Sequence, residues 1–254
     1  MFWDWFKRKK EEQSPIEKYD VVYILQNNIR DIEELRYSIR SVVANFPYNR
    51  IVFCGGIPEC LAPDIAIPHI QKGGSIWGKS RSSIAEMVHH DELTEKVWYF
   101  NDDFFILKPW TSTEPLCPGT LEGQKKRIEK KTNGIGNVYG LYLKTTADFL
   151  KSQGWDTISY ESHTPLLIER KLAAKVINFF PGNTAFRSDY GNRYQIGGRL
   201  APDHKIITLD TIPEEGDTYT STDEQSFKEG AVGEYLRSLF SIPSKYEDTS
   251  SEEE

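Results

Sequence analysis

The stretch Lys96–Leu107 reads KVWYFNDDFFIL, in which Asn101, Asp102 and Asp103 interrupt a run of large apolar residues. The β-branched and aromatic residues around them predict a buried β-strand. Because an unpaired buried carboxylate costs free energy, two adjacent ones require a partner. Carboxylate and amide oxygens are hard ligands that suit Mg²⁺ or Mn²⁺. The stretch therefore predicts a metal site at Asp102 and Asp103 that could neutralise a bound diphosphate; the alternative is an exposed turn with two solvated aspartates.

Helices and strands alternate upstream of this stretch. The predicted elements are a strand at Asp20–Gln26, a helix that begins at Asp31, strands at Arg50–Cys54 and Ile65–Ile70, and a helix at Ser80–His90. Asp31 and Glu34 have the spacing of a capping box at the start of the first helix. Such alternation predicts a Rossmann-type α/β fold, in which a mixed, mostly parallel sheet is flanked by helices. Ligands bind such sheets beyond the carboxyl ends of the strands.

The second half of the chain is less regular. Pro109–Asn137 is predicted to be a long loop, and it carries the basic run Lys125–Lys131. Helices are predicted around Thr145–Ser152, Leu166–Phe179 and Asp223–Phe240, and a short strand at Lys205–Leu209. We predict one domain over residues 16–243, with halves at 16–108 and 109–243. An aromatic and basic tail (1–15) precedes it, and a disordered acidic tail (244–254) follows.

Composition narrows the class of protein. The chain has 254 residues, a net charge of −7 and 13% aromatic residues, which suits one folded α/β domain. A nucleic-acid-binding domain would usually be basic, so no nucleic-acid partner is expected. The three cysteines, Cys54, Cys60 and Cys117, are odd in number and lack zinc-ligand spacing, which predicts a reducing compartment. No apolar run reaches the roughly 18–20 residues that span a bilayer, so a cytoplasmic protein is expected.

The segment Met1–Lys10 combines four aromatic residues with four basic ones. Such a segment could contact the inner face of a membrane or a partner protein. The alternative is a tail whose aromatic side chains pack on the domain.

Candidate phosphate-binding residues lie on both sides of the acidic stretch. Lys79 and Arg81 follow Gly78 at a predicted helix start, where backbone N–H groups favour anions; the alternative is an ordinary surface helix. Arg187 could fork onto phosphate oxygens, or it could form a structural pair with Asp189.

Histidines supply the candidate acid–base groups. His163 could act as a general base, a metal ligand or a phosphate contact; the alternative is a structural histidine. Asp203 and His204 are predicted to be a less favoured site.

Several blocks occur in the order found in the Stealth family of sugar-phosphate transferases, which make capsular polysaccharides and tag lysosomal enzymes. The blocks are Asp20–Tyr23, Glu34–Ser41, Tyr99–Phe105, His163-x-Pro165 and Phe186-Arg187. The chain also resembles short glycosyltransferases of bacteria and their phages, and both groups look like GT-A folds. The resemblance implies donor and metal contacts from Asp102 and Asp103, and active-site roles for His163 and Arg187. Stealth proteins usually carry Trp-Val-Asn/Asp-Gly after the first strand, where this chain has Ile24–Asn28.

We therefore expect a GT-A-like enzyme that uses a nucleotide sugar, with UDP as the favoured nucleotide and Mn²⁺ or Mg²⁺ as the ion. Tyr23, Gln26 and Arg30 are expected to line the nucleotide pocket, with Asn101 beside the diphosphate. The acceptor, a glycan or a protein, should enter beside His163 under the Pro109–Asn137 loop. The altered first loop favours transfer of the sugar over transfer of the sugar phosphate. A non-catalytic glycan-binding module is the alternative of a different class.

Overall fold

The computed structural model describes residues 17–27, 29, 32–131 and 138–247, and ten strands and eight helices lie within these ranges. The strands are β1 (Tyr19–Leu25), β2 (Tyr48–Gly55), β3 (Ile65–Pro68), β4 (Lys96–Phe100), β5 (Phe104–Ile106), β6 (Leu116–Cys117), β7 (Leu166–Glu169), β8 (Arg199–Leu200), β9 (Lys205–Ile206) and β10 (Tyr219–Thr222). The helices are α1 (Glu33–Asn45), α2 (Ile76–His89), α3 (Leu121–Lys131), α4 (Val138–Ser152), α5 (Arg170–Phe179), α6 (Phe186–Tyr194), α7 (Glu224–Glu229) and α8 (Ala231–Leu239).

A five-stranded sheet in the order β3-β2-β1-β4-β7 forms the centre of the fold. All neighbours in it are parallel except β4 and β7, which are antiparallel. Strand β1 is apolar on both faces because both are covered: Val22 and Ile24 pack with α2, α4 and α5, while Val21 and Tyr23 pack with α1. The predicted α/β class, with a mostly parallel sheet flanked by helices, is confirmed.

The stretch Lys96–Leu107 forms two strands rather than the single predicted strand. Strand β4 ends at Phe100, residues 101–103 turn, and β5 begins at Phe104. Strand β5 belongs to a second sheet in the order β5-β10-β9. Its Phe105 packs against α7 and α8 in a separate apolar cluster. The acidic turn therefore lies where one sheet gives way to the other.

Several other predicted elements need correction. The loop predicted at Pro109–Asn137 contains β6 and α3, and residues 132–137 lie outside the described ranges. The helix predicted over Leu166–Phe179 begins as strand β7, because these residues pair with β4. The helix predicted over Asp223–Phe240 is divided at Gly230 into α7 and α8. Glu34 was predicted to complete a capping box, but it accepts a hydrogen bond from Thr222 Oγ1 instead; Asp31 lies outside the described residues.

The segment 244–247, predicted to be part of a disordered tail, packs on the domain. Tyr246 is buried and donates to Asp64 Oδ2 at 2.7 Å. The carboxylate of Glu247 is fully buried and pairs with Arg40 at 2.5 Å. The prediction of disorder was wrong for these residues because their partners lie far away along the chain.

No helix within the described ranges is both long enough and apolar enough to cross a bilayer. Met1–Lys10 lies outside those ranges.

Candidate active site

A cavity opens at the carboxyl ends of β1 and β4. The chain runs from β1 to β2 on one side, while β4 lies on the other, and ligands bind open α/β sheets at such a switch point. Gln26 follows β1 and Asn101 follows β4, and both line this cavity of about 460 Å³. Among its other lining residues are Trp77, Tyr142, Glu161, His163, Arg187 and Lys205.

The acidic turn presents two carboxylates in different environments. Burial, reinforced by the charge of Asp103, raises the pKa of Asp102 to about 6. Asp103 Oδ2 accepts a hydrogen bond from Lys205 Nζ at 2.9 Å. Asp103 Oδ1 is buried and has no hydrogen-bond partner among the described residues. Because an unsatisfied buried acceptor is costly, this oxygen is suited to a cation that arrives with a ligand.

A chain of polar contacts leads from Asp103 through Lys205 and His163 to Asp203. Lys205 Nζ lies 3.3 Å from His163 Nε2, and His163 Nδ1 lies 3.0 Å from Asp203 Oδ2. Since Nδ1 donates to a carboxylate, Nε2 is the acceptor nitrogen of the ring. Burial opposes the charge of Lys205, but the carboxylate of Asp103 outweighs it and keeps the pKa of Lys205 above its ordinary value.

Asp203 and His204, which were grouped as a less favoured site, have separate places. Asp203 orients His163. Burial opposes the charge of Asp203, but the hydrogen bonds and charge of His163 together with the charge of Lys205 hold the pKa of Asp203 below its ordinary value. His204 is instead paired with Asp217 at 3.0 Å, and it does not line the cavity. The two residues therefore do not form one site, and it is Asp203 that contacts His163.

Arg187 lies in the cavity wall on α6, where its guanidinium donates to two backbone carbonyls. Its Nε donates to Tyr160 O at 2.8 Å, and its Nη2 donates to Thr164 O at 2.6 Å. These two carbonyls flank His163 in the sequence, so Arg187 holds the segment that carries the histidine. The alternative pair of Arg187 with Asp189 is not among its contacts.

Asp189 pairs instead with Arg81, at 3.1 Å. The guanidinium of Arg81 also donates to two carbonyls at the end of α5, so Arg81 contacts the cavity with a side chain already engaged in structure. Helix α2 begins at Ile76, after the N-cap Ser75. The predicted helix start beside Lys79 was therefore wrong, and Lys79 is not among the described residues that line the cavity.

Of the three residues predicted to line the nucleotide pocket, the structure places one in the cavity. Gln26 lines the cavity as predicted. Tyr23 does not, because it points to the opposite face of the sheet, is fully buried and shares a hydrogen bond of 3.0 Å with Ser38 Oγ. Arg30 lies outside the described residues.

Sequence reasoning missed three contributions to the cavity. Lys205 stands on the two-residue strand β9 and gave no local signal. Glu161 accepts two hydrogen bonds from Ser188, and burial raises its pKa. An aromatic wall is formed by Trp77 and Tyr142, whose rings stack 4.3 Å apart. The position of Trp77 within the glycine-rich connection Gly73–Gly78 was the one signal that could have found this wall.

A divalent ion fits the acidic turn when a ligand completes its coordination. The described part of the chain holds no group of three His, Cys, Asp or Glu side chains arranged for a metal. Asp102 nevertheless lines the cavity with a hard carboxylate, and Asp103, which follows it but does not line the cavity, has a buried Oδ1 that lacks a partner within the described ranges. Mg²⁺ is commonly held by one or two carboxylates, with substrate phosphates and water completing the octahedron. The turn therefore fits an ion shared with a bound diphosphate.

The fold and the cavity together define an α/β protein with a ligand site at the switch point of its sheet, built from acidic, basic and aromatic side chains. No protein-family model and no curated protein matches the sequence.

Solved structures similar to the chain include two of the galactosyltransferase LgtC. One is the galactosyltransferase LgtC in complex with donor and acceptor sugar analogs, at a TM-score of 0.46 and 12% identity, covering 89% of this chain and 96% of that chain. The other is an active-site mutant of LgtC, at 0.45 and 12%, covering 89% and 98%. The Stealth resemblance stays a prediction. At such low identities and scores, the function has to be inferred from the residues of the site itself.

Proposed function

We propose that this protein is a glycosyltransferase that moves a sugar from a nucleotide-sugar donor to a glycan or protein acceptor. The observation that carries the proposal is the acidic turn at the switch point. Asp103 Oδ1 is unpartnered there, Lys205 donates to Asp103 Oδ2, and His163 contacts Lys205 in turn. Carboxylates and a cation at such a place suit a donor that brings both phosphate and hydroxyl groups. UDP is the favoured nucleotide, and Mn²⁺ or Mg²⁺ the favoured ion.

The donor would span the cavity from Gln26 to the aromatic wall. In this arrangement the diphosphate lies at Asp102 and Asp103, which would hold the ion; when bound, the ion would neutralise charge on the departing diphosphate. The sugar ring would lie toward Trp77, where an apolar ring face can pack while Glu161 accepts hydrogen bonds from hydroxyl groups.

His163 is the residue best placed to take a proton from the acceptor hydroxyl. Asp203 fixes the ring so that Nδ1 carries the hydrogen and Nε2 accepts. Nε2 would act as the general base once its contact with Lys205 Nζ, at 3.3 Å, gives way to the acceptor hydroxyl. A second cavity of about 740 Å³ shares His163 with the first and is lined by residues of α3 and by Leu200 and Ile207. It offers a route for the acceptor beside α3, within the segment predicted to cover it.

Transfer of the intact sugar phosphate is the second candidate function. Lys205 and Arg187 bring two cations to the cavity wall, and phosphoryl transfer depends on such stabilisation of the transferred group. In this reaction the acceptor oxygen attacks the β-phosphorus, the bond between the two phosphates breaks, and UMP leaves. In glycosyl transfer the acceptor oxygen attacks the anomeric carbon, its bond to the phosphate oxygen breaks, and UDP leaves.

A UDP-sugar labelled in the β-phosphate separates the two reactions. We expect the label to leave as UDP, with unlabelled sugar on the acceptor or on water. Label in the acceptor together with UMP would establish sugar-phosphate transfer instead. Absence of donor turnover with Mn²⁺ and with Mg²⁺, together with retained glycan binding, would contradict an enzyme and indicate a glycan-binding module.

A further inference from the structure

Lys205 reaches the acidic turn from the second sheet. It stands on β9, which pairs with β10, while Asp103 follows a strand of the first sheet. Its side chain is 26% exposed and lines both the 460 Å³ and the 740 Å³ cavities. An ammonium is thus fixed at the point where the two cavities meet.

The contacts of this ammonium leave one N–H donor for a ligand. A lysine ammonium has three N–H donors, and the contacts to Asp103 Oδ2 and His163 Nε2 account for two of them. A lysine required only to neutralise the acidic turn would need no opening to the cavity. Here it faces the space next to Asp102 and Asp103, where the phosphates of a donor would lie.

We propose that Lys205 binds the leaving phosphate of the donor directly, so that the site retains nucleotide affinity in the absence of a divalent ion. This rests on the proposed function, because it takes the ligand to be a nucleoside diphosphate. The ammonium donates a hydrogen bond to a phosphate oxygen while Asp103 Oδ2 holds it in place. A charge-assisted hydrogen bond of this kind is worth about tenfold to 100-fold in affinity.

The test is calorimetric titration of UDP into the protein, in excess EDTA and in MgCl₂. We expect wild type to bind UDP in EDTA, Lys205→Met to bind it at least tenfold more weakly, and Lys205→Arg to fall between them. Lys171→Met is the matched control, because Lys171 is 80% exposed and lies 3.7 Å from Glu95 on the surface; its UDP affinity should equal that of wild type.

Two results would overturn the role of Lys205 alone: Lys205→Met that binds UDP in EDTA as tightly as wild type, or wild type that binds UDP only in MgCl₂. Wild type that binds UDP under neither condition would contradict the proposed function as well. If Lys205→Met fails to fold by circular dichroism, Asp103→Asn/Lys205→Met removes the pair together and is compared with Asp103→Asn. A further tenfold loss in the double variant supports the proposal, and equal affinities contradict it.

Discussion

Replacement of Glu247 by glutamine is expected to destabilise the whole domain. Its carboxylate accepts from Arg40 Nε at 2.8 Å, from Arg40 Nη2 at 2.5 Å and from the Ser244 backbone at 2.7 Å. Burial works against its charge, but Arg40 prevails and lowers the pKa of Glu247 from 4.5 to about 2. That difference corresponds to roughly 3 kcal/mol, and breaking one partner of a buried ion pair typically costs about 3–5 kcal/mol. We therefore expect a loss of about 3 kcal/mol.

The same pair predicts how stability depends on pH. Because the folded pKa lies below the unfolded one, the contribution of Glu247 is fully present above about pH 4.5 and is lost as the pH falls toward 2. Wild type and Glu247→Gln should therefore differ most near neutral pH, and their unfolding free energies should converge in acid.

Urea denaturation and thermal melting measure the effect. For a domain of this size, 3 kcal/mol corresponds to a fall in Tm of about 6–12 °C. Glu95→Gln is the control, because Glu95 is 66% exposed and its contact with Lys171 spans 3.7 Å; such a surface pair contributes about 0–1 kcal/mol. A Glu247→Gln protein whose free energy of unfolding at pH 7 lies within about 0.5 kcal/mol of wild type would refute the reasoning. It would show that the packing of residues 244–247 does not stabilise the domain.

Two further predictions concern the site. Asp103→Ala should lower donor turnover by about 10²-fold or more while the fold persists by circular dichroism, since it removes a preorganised electrostatic group; activity equal to wild type would contradict its role. His163→Ala should lower kcat by about 10²–10⁴-fold with a smaller change in donor KM, as expected of a proton-transfer group. Asp203→Asn should lower kcat in the same direction because it disturbs the orientation of His163, and a wild-type kcat in both variants would return His163 to a structural role.

The parts of the fold that were predictable are those whose signal is local. Strand β1 was recognisable because Val21–Leu25 are buried on both faces and form an unbroken apolar run. The start of α2 was missed because its apolar positions do not mark it; Ser75 caps it through a side-chain bond to the Gly78 amide. Strand β7 was predicted to be a helix because its residues have a helical pattern. Pairing with β4 outweighs that pattern in the folded protein.

The candidate site was predictable only in part, because some of its residues are brought together by contacts that are distant in the sequence. Asp102 and Asp103 stood out because carboxylates inside an apolar run conflict with their surroundings. His163 could be named but not placed, since the carboxylate that orients it lies 40 residues away. Lys205 could not be predicted, because the sequence around a lysine on a two-residue strand does not distinguish it from a surface lysine. Its place in the site depends on the packing of the second sheet beside the first.

The division of residues 96–107 between two sheets has a consequence for engineering. Asn101 and Asp102, which would bind the donor under the proposed function, follow a strand of the first sheet. Lys205 and the apolar side chains Leu200 and Ile207 come from the short strands and connections of residues 199–207. Varying Leu200 and Ile207 in a library, with Asp203 kept because it orients His163, is expected to alter the selection of acceptors while leaving donor recognition intact. The wall of the second cavity could therefore be changed while the first sheet is kept, and residues 101–103 are the segment that joins the two sheets.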